Sequence, residues 1–220
     1  MVISLHKFVF VYFLFFVVIF SYANIDVSAQ DEKYVIYLDP GHGGLDGGCN
    51  YKDLVEKNIN LKIATKIKEG LIEKGYEVRM TRSGDIHLCK DKFSKKEDLQ
   101  TRVDLINNSQ ADLYISIHTN SFVNPKYYGA QVFYNSYLDN NTFIGTQIQS
   151  YLSEYTQTTR IAKNLKNVMI LREITKPGCL VECGFISNPM EYNLLQDEAY
   201  LAQLSNCIIY GIDDYFLTYA

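Results

Sequence analysis

Three segments of this chain each end in a residue able to do chemistry. Tyr34–Leu38 runs into Asp-Pro-Gly-His42-Gly-Gly, an apolar stretch followed by a glycine-rich turn with an imidazole at its lip. Asp112-Leu-Tyr-Ile-Ser-Ile-His118 is a second apolar stretch closing on a histidine, and Cys179-Leu-Val-Glu182-Cys-Gly184 a third closing on a glutamate. If all three are strands of one parallel sheet, two imidazoles and a carboxylate arrive at the same edge, the edge where α/β proteins build their sites. The turn glycines allow the backbone to approach a ligand closely.

That residue set suggests a zinc hydrolase. Catalytic zinc commonly takes three protein ligands and keeps a fourth position open. His42 and His118 supply two. Glu56 is the best third, because it opens the segment after the glycine turn and can swing back toward His42. Glu182 is then the general base that takes a proton from water and returns it to a leaving amine. Arg172 is a candidate for oxyanion stabilisation or for holding substrate.

Each residue has a plainer alternative. A histidine after a strand is often structural, and Glu56 alone reads as a carboxylate favoured at a helix N-terminus. Glu182 is harder to dismiss, since an unpaired carboxylate in an apolar strand is costly. The glycine turn lacks the GxxxxGK[ST] pattern of a phosphate cradle. His87 and Cys89 sit in an irregular polar stretch without obvious partners, and His6 belongs to the N-terminal segment.

The elements that must position these residues alternate in type. Strands are expected at 34–38, 76–80, 113–117, 129–134, 168–171 and 180–182. Helices are expected at 54–74, 97–108, 141–155, 189–195 and 199–217. Val55, Ile59, Ile63, Ile67 and Leu71 share one face of the first helix, and Gly75 suits its end. Residues 81–96 are polar, charged and irregular and read as a loop. Alternating strands and helices imply a single α/β domain, a mostly parallel twisted sheet covered by helices on both faces.

Composition sets the outer limits. The chain has 220 residues, 47% of them hydrophobic, enough for one domain with a sizeable core. A net charge of −4 argues against nucleic acid as a partner. Lys7, the uncharged run Phe8–Phe20 and the small-residue stretch Val27-Ser-Ala29 form a secretory signal pattern over residues 1–29. The run falls short of the ~20 residues of a spanning helix; an uncleaved N-terminal membrane anchor is the alternative. Either way the 31–220 domain is expected outside the cytoplasm, with membrane contact only through that segment. The five cysteines are an odd count for an exported protein. Cys179, Cys183 and Cys207 read as buried small hydrophobes, while Cys49 and Cys89 lie in loops and could bridge.

Taken together, the motifs around His42, Glu56-Lys-Asn-Ile-Asn-Leu, Thr81-Arg82, Ser116-Ile-His118-Thr-Asn120 and Val181-Glu182-Cys-Gly-Phe-Ile-Ser-Asn188 resemble the zinc-dependent N-acetylmuramoyl-L-alanine amidases of the amidase_3 family. The resemblance covers about residues 34–218. It implies His42, Glu56 and His118 as zinc ligands and Glu182 as the catalytic glutamate. It also implies cleavage of the amide between the lactyl group of muramic acid and the L-alanine of the peptidoglycan stem. Leu171-Arg172-Glu173 and Pro177 match the family's run before its last strand. Two departures stand out: cysteine at 179 and 183, where small or aliphatic residues are usual, and a long connection over 84–96. With no SH3-like, LysM or repeat pattern beside it, a catalytic domain behind a hydrophobic leader resembles the spore-cortex amidases of Gram-positive endospore formers. In these, cleavage precedes muramic-δ-lactam formation. The alternatives are a zinc peptidase cutting within the stem peptide and a non-catalytic wall-binding module. Localisation through the leader or an accessory protein is expected in any of these cases.

Overall fold

A computed structural model describes residues 33–219. The expected leader, residues 1–29, lies outside the described residues. Among the described residues no helix is long and apolar enough to cross a membrane.

The central sheet has six strands in the order β4-β1-β5-β8-β6-β7. These are β1 (Val35–Pro40), β4 (Glu77–Met80), β5 (Leu113–Asn120), β6 (Gln131–Tyr134), β7 (Lys163–Asn164) and β8 (Gly178–Phe185). β2 (Asn50–Tyr51) and β3 (Leu54–Val55) form a separate small hairpin. All sheet pairings are parallel except β6 with β8. The central strands β1, β5 and β8 are almost wholly buried, as strands covered on both faces must be.

Six helices appear among the described residues: α1 (Glu56–Glu73), α2 (Lys95–Asn107), α3 (Asp139–Tyr155), α4 (Met169–Glu173), α5 (Pro189–Leu194) and α6 (Glu198–Tyr219). α1, α3 and α6 bury the larger core, where Ile59, Ile63, Ile67 and Leu71 meet Ile144, Ile148 and Ile208. α2 and α4 close the other face around Tyr37, Tyr114, Val103, Ile106 and Ile170. The expected α/β architecture, with helices on both faces, is therefore what the chain forms.

Four local readings need correction. The strand expected at 168–171 is part of helix α4; a short apolar run cannot distinguish a buried helical turn from a strand by periodicity. The irregular stretch ends at Ser94 rather than Lys96. Ser94 caps α2 by accepting from the Glu97 amide at 3.4 Å, and Glu97 stands three residues on as such caps require. The β2–β3 hairpin and β7 have only two residues per strand, too few for an alternation signal. The possible Cys49–Cys89 bridge is absent. All five cysteines are free: the Cys49 thiol donates to the Thr119 carbonyl and the Cys89 thiol to that of Ser94.

Candidate metal centre

β1 and β5 lie side by side, with Pro40 paired to Ile117, and β5 meets β8 with His118 opposite Glu182. The register alone therefore brings the three strand ends together. One ligand atom from each of His42, Glu56 and His118 lies within 4.8 Å of the others. Glu56 Oε1 is 3.2 Å from His42 Nε2 and 2.9 Å from His118 Nδ1.

Glu56 reaches this point because of how α1 begins. The β2–β3 hairpin delivers the chain to Val55, and the Glu56 amide is pinned to the Cys49 carbonyl at 2.9 Å. The side chain then folds back over the hairpin. Its Oε2 accepts from the Cys49 amide at 2.8 Å, and its Oε1 from the Thr119 amide at 3.2 Å and Asn60 Nδ2 at 3.3 Å. Burial pushes this carboxyl up, but the two imidazoles outweigh it and hold Glu56 well below the usual carboxylate range.

His42 is held in left-handed backbone with φ of 62°, a conformation that costs energy for a residue with a Cβ. Its Nδ1 is 2.8 Å from Asp46 Oδ2, so the ring donates there and turns the lone pair of Nε2 toward Glu56 and His118. Burial lowers the pKa of this imidazole, while Glu56 and Asp46 raise it; the net shift is upward. Close approach explains two of the glycines. A Cβ on Gly41 would lie 2.2 Å from the His118 ring, and one on Gly48 2.4 Å from Glu56 Oε2.

Glu182 stands apart from the other three in its bonding. Its Oε2 is shut off from solvent and has no hydrogen-bond partner. Burial raises its pKa, His118 opposes that and Glu56 adds to it, leaving the carboxyl raised to about 7. Alternation along β8 sends Cys179, Val181 and Cys183 into the larger core and Leu180 and Glu182 into a cleft of about 390 Å³ on the opposite face. His42, His118 and Glu182 form the polar end of that cleft, and Leu99, Phe133, Val168, Met169 and Leu171 line its apolar wall.

Arg172 is not brought to this cluster. Its side chain is 51% exposed and pairs with Glu173 at 2.6 Å, while its neighbour Leu171 faces the cleft. His87 packs beside Phe93 in the 83–94 segment and joins no metal-binding group. Sequence reasoning passed over Asp46, Asn60 and Thr119. Asn60 stands one helical turn from Glu56 and was the most readable of these; its Oδ1 accepts from Thr119 Oγ1 at 2.7 Å. Asp39 was also missed, although an acid inside an apolar strand is itself a signal.

A mostly parallel α/β sheet gathers two imidazoles and a carboxylate beside a glutamate with an unpaired buried oxygen, the kinds of group a metal-dependent hydrolase employs. The chain matches the family model for N-acetylmuramoyl-L-alanine amidase over residues 36–214 and belongs to that family. It is 42% identical over 188 residues to the germination-specific N-acetylmuramoyl-L-alanine amidase of Bacillus subtilis, covering 83% of this chain and 79% of that one. Its fold matches the CwlD amidase from Clostridioides difficile, solved in complex with the GerS lipoprotein, with a TM-score of 0.81 and 36% identity over 84% of this chain and 100% of the other. An N-acetylmuramoyl-L-alanine amidase from Clostridium difficile 630 gives a TM-score of 0.77 and 30% identity, covering 86% and 99%.

Proposed function

We propose that this chain cleaves the amide between the lactyl group of N-acetylmuramic acid and L-alanine, using zinc held by His42, Glu56 and His118, with Glu182 as general base. The observation that carries the reading is the orphaned Oε2 of Glu182, buried at the head of the cleft beside the three clustered donors. Two imidazoles and one carboxylate are a donor set that catalytic zinc uses in peptide-bond hydrolysis. The geometry of Asp46 and Asn60, each orienting a ligand from behind, is the support such sites need. Zinc, when bound, acts as a Lewis acid and makes water a competent nucleophile near neutral pH.

The chain's own residues do the rest. Glu182 accepts the proton of the attacking water at Oε2. A carboxyl raised to about 7 can then release it to the leaving alanine nitrogen at neutral pH. The apolar side chains along the cleft lower the local dielectric, which strengthens the charge interactions at its head. Arg172 serves as a substrate contact at the outer surface in this scheme rather than as an oxyanion donor.

The likeness to the germination-specific relative supports spore cortex as the substrate, with cleavage upstream of muramic-δ-lactam formation. The relative solved with a lipoprotein supports an accessory lipoprotein partner, and both support action outside the cytoplasm. Digestion of purified cortex muropeptides with the zinc-loaded protein tests the activity. Free stems beginning at L-alanine are expected. Cuts between stem amino acids would make the protein a peptidase, and intact stems a wall-binding module.

A further inference from the structure

A second cavity, apart from the cleft that holds the histidines, opens among the described residues. It measures about 700 Å³, against about 390 Å³ for the cleft, and it lies across the sheet on the side of α3 and α6. Tyr128, Tyr155, Gln157, Glu191, Tyr200 and Gln203 line it. Both sizes are within the ~300–1,000 Å³ typical of ligand sites. The lining offers broad aromatic faces, two side-chain amides and a single carboxylate, Glu191.

The polar groups there have capacity to spare. The Glu191 residue is only 3% exposed, and its two oxygens accept from the Gly129 amide at 3.0 Å and the Phe185 amide at 2.8 Å. Each carboxylate oxygen can accept another bond. Gln203 spends one amide hydrogen on the Tyr155 carbonyl at 2.7 Å and keeps its Oε1. Gln157 sits in left-handed backbone with φ of 58°, the kind of strain that collects at binding sites. Tyr128 and Tyr155 are each 43% exposed, so their rings are open to a ligand.

The cavity is also tied to the cleft. The segment after β5 leaves the cleft at Asn120, presents Phe122 edge-on to Tyr127 at 4.6 Å between centroids, and enters the cavity at Tyr128. Phe122 and Tyr127 are themselves half exposed. The 120–128 segment thus runs from one opening to the other past the end of β8, where Tyr127 stacks on Phe185 at 6.5 Å between centroids.

We propose that this tyrosine-lined cavity is a second binding site for the glycan of the substrate, seating N-acetylated sugars away from the amide being cut. Pyranose rings present C–H faces that pack on tyrosine, while hydroxyl and acetamido groups hydrogen-bond to carboxylate and amide side chains. The inference rests on the peptidoglycan reading above. Two linked contacts on one polymer raise its effective concentration at the cleft without any new chemistry.

The test uses the full-length protein and a peptide-free tetrasaccharide of alternating N-acetylglucosamine and N-acetylmuramic acid, with binding followed by NMR titration. The wild type should bind it. Tyr128→Ala and Tyr155→Ala should each weaken binding about tenfold, the scale of one lost aromatic contact. Tyr155→Phe, which keeps the ring, should bind as the wild type does. Both alanine variants should cleave N-acetylmuramoyl-L-alanine at the wild-type rate but show a raised KM on polymeric substrate. Absence of tetrasaccharide binding, or equal binding by the alanine variants, would overturn the proposal. Failure of the wild type to cleave the small amide would instead count against the amidase reading, because binding is measured without turnover.

Discussion

Two polar clusters sit within a few residues of each other at the end of β1, and they are built on opposite rules. In one, Asp39 is fully buried and fully satisfied. Its Oδ1 accepts from Thr81 Oγ1 and Arg102 Nη1, each at 2.7 Å, and its Oδ2 from Ser116 Oγ at 2.8 Å. Arg102 continues the network to Asp98 at 2.7 Å and to the carbonyls of Pro40 and His42 at 2.8 and 2.7 Å. In the other, Glu182 is left without a partner beside His42, Glu56 and His118. The completed network spends every acceptor of Asp39 on holding strands and loop together, whereas Glu182 keeps an oxygen unspent next to three possible metal donors. The first cluster serves the second: the Arg102 guanidinium grips the carbonyl of His42, the residue that must hold an unfavourable backbone conformation.

The sharpest way to break this contrast is to disarm the incomplete cluster without disturbing its shape. Glu182→Gln should lower amide cleavage by about 10²–10⁴-fold, the range for a lost general base, while zinc content measured by atomic absorption stays unchanged. Loss of zinc in this variant would make Glu182 a ligand and reverse the roles.

Opening the complete cluster should cost stability instead. Arg102→Met leaves Asp39 and Asp98 as uncompensated buried acids, and such broken pairs cost about 3–5 kcal/mol. Chemical denaturation should show that loss. A loss below about 1 kcal/mol would mean the network is not structural.

Metal removal tests the donor set. Zinc at a hundredfold excess over its Kd should stabilise the protein by about 2.7 kcal/mol relative to the chelated form. Asp46→Asn should weaken zinc affinity by about 10–100-fold, since it disturbs a ligand only from behind. Equal thermal melts with zinc and with chelator would remove His42, Glu56 and His118 as a metal site.

A pH titration gives the smallest effect. Burial pushes the Asp39 carboxyl up, but Arg102 and the Thr81 hydroxyl outweigh it, so its pKa in the fold is lowered. A depressed carboxyl stabilises the fold above the ordinary aspartate value of about 3.9, and that contribution is lost as pH falls through the folded pKa. Unfolding free energy should therefore drop on acidification below about pH 4, and Asp39→Asn should flatten that part of the profile. An unchanged slope would show that other acids dominate.

The periodicity at Ile59, Ile63, Ile67 and Leu71, the long central strands and the turn after β1 were legible in the sequence as short-range patterns, whereas the apolar run 168–171 and the two-residue strands were not. So was the pairing of imidazoles with carboxylates, since residue type limits the chemistry. What needed the tertiary structure was distance. Strand register placed His118 opposite Glu182, and the β2–β3 hairpin turned Glu56 back toward His42. Nothing local in the sequence tells Arg172, which points outward to Glu173, from Arg102, buried at 1% exposure some 60 residues beyond the carbonyl it grips. Hydrophobic pattern and residue chemistry are written along the chain, so the sequence determined the longer elements and the kinds of group they carry. Which polar groups would find partners, and which would be left without one, depends on contacts between distant segments, and only the packed sheet decided that.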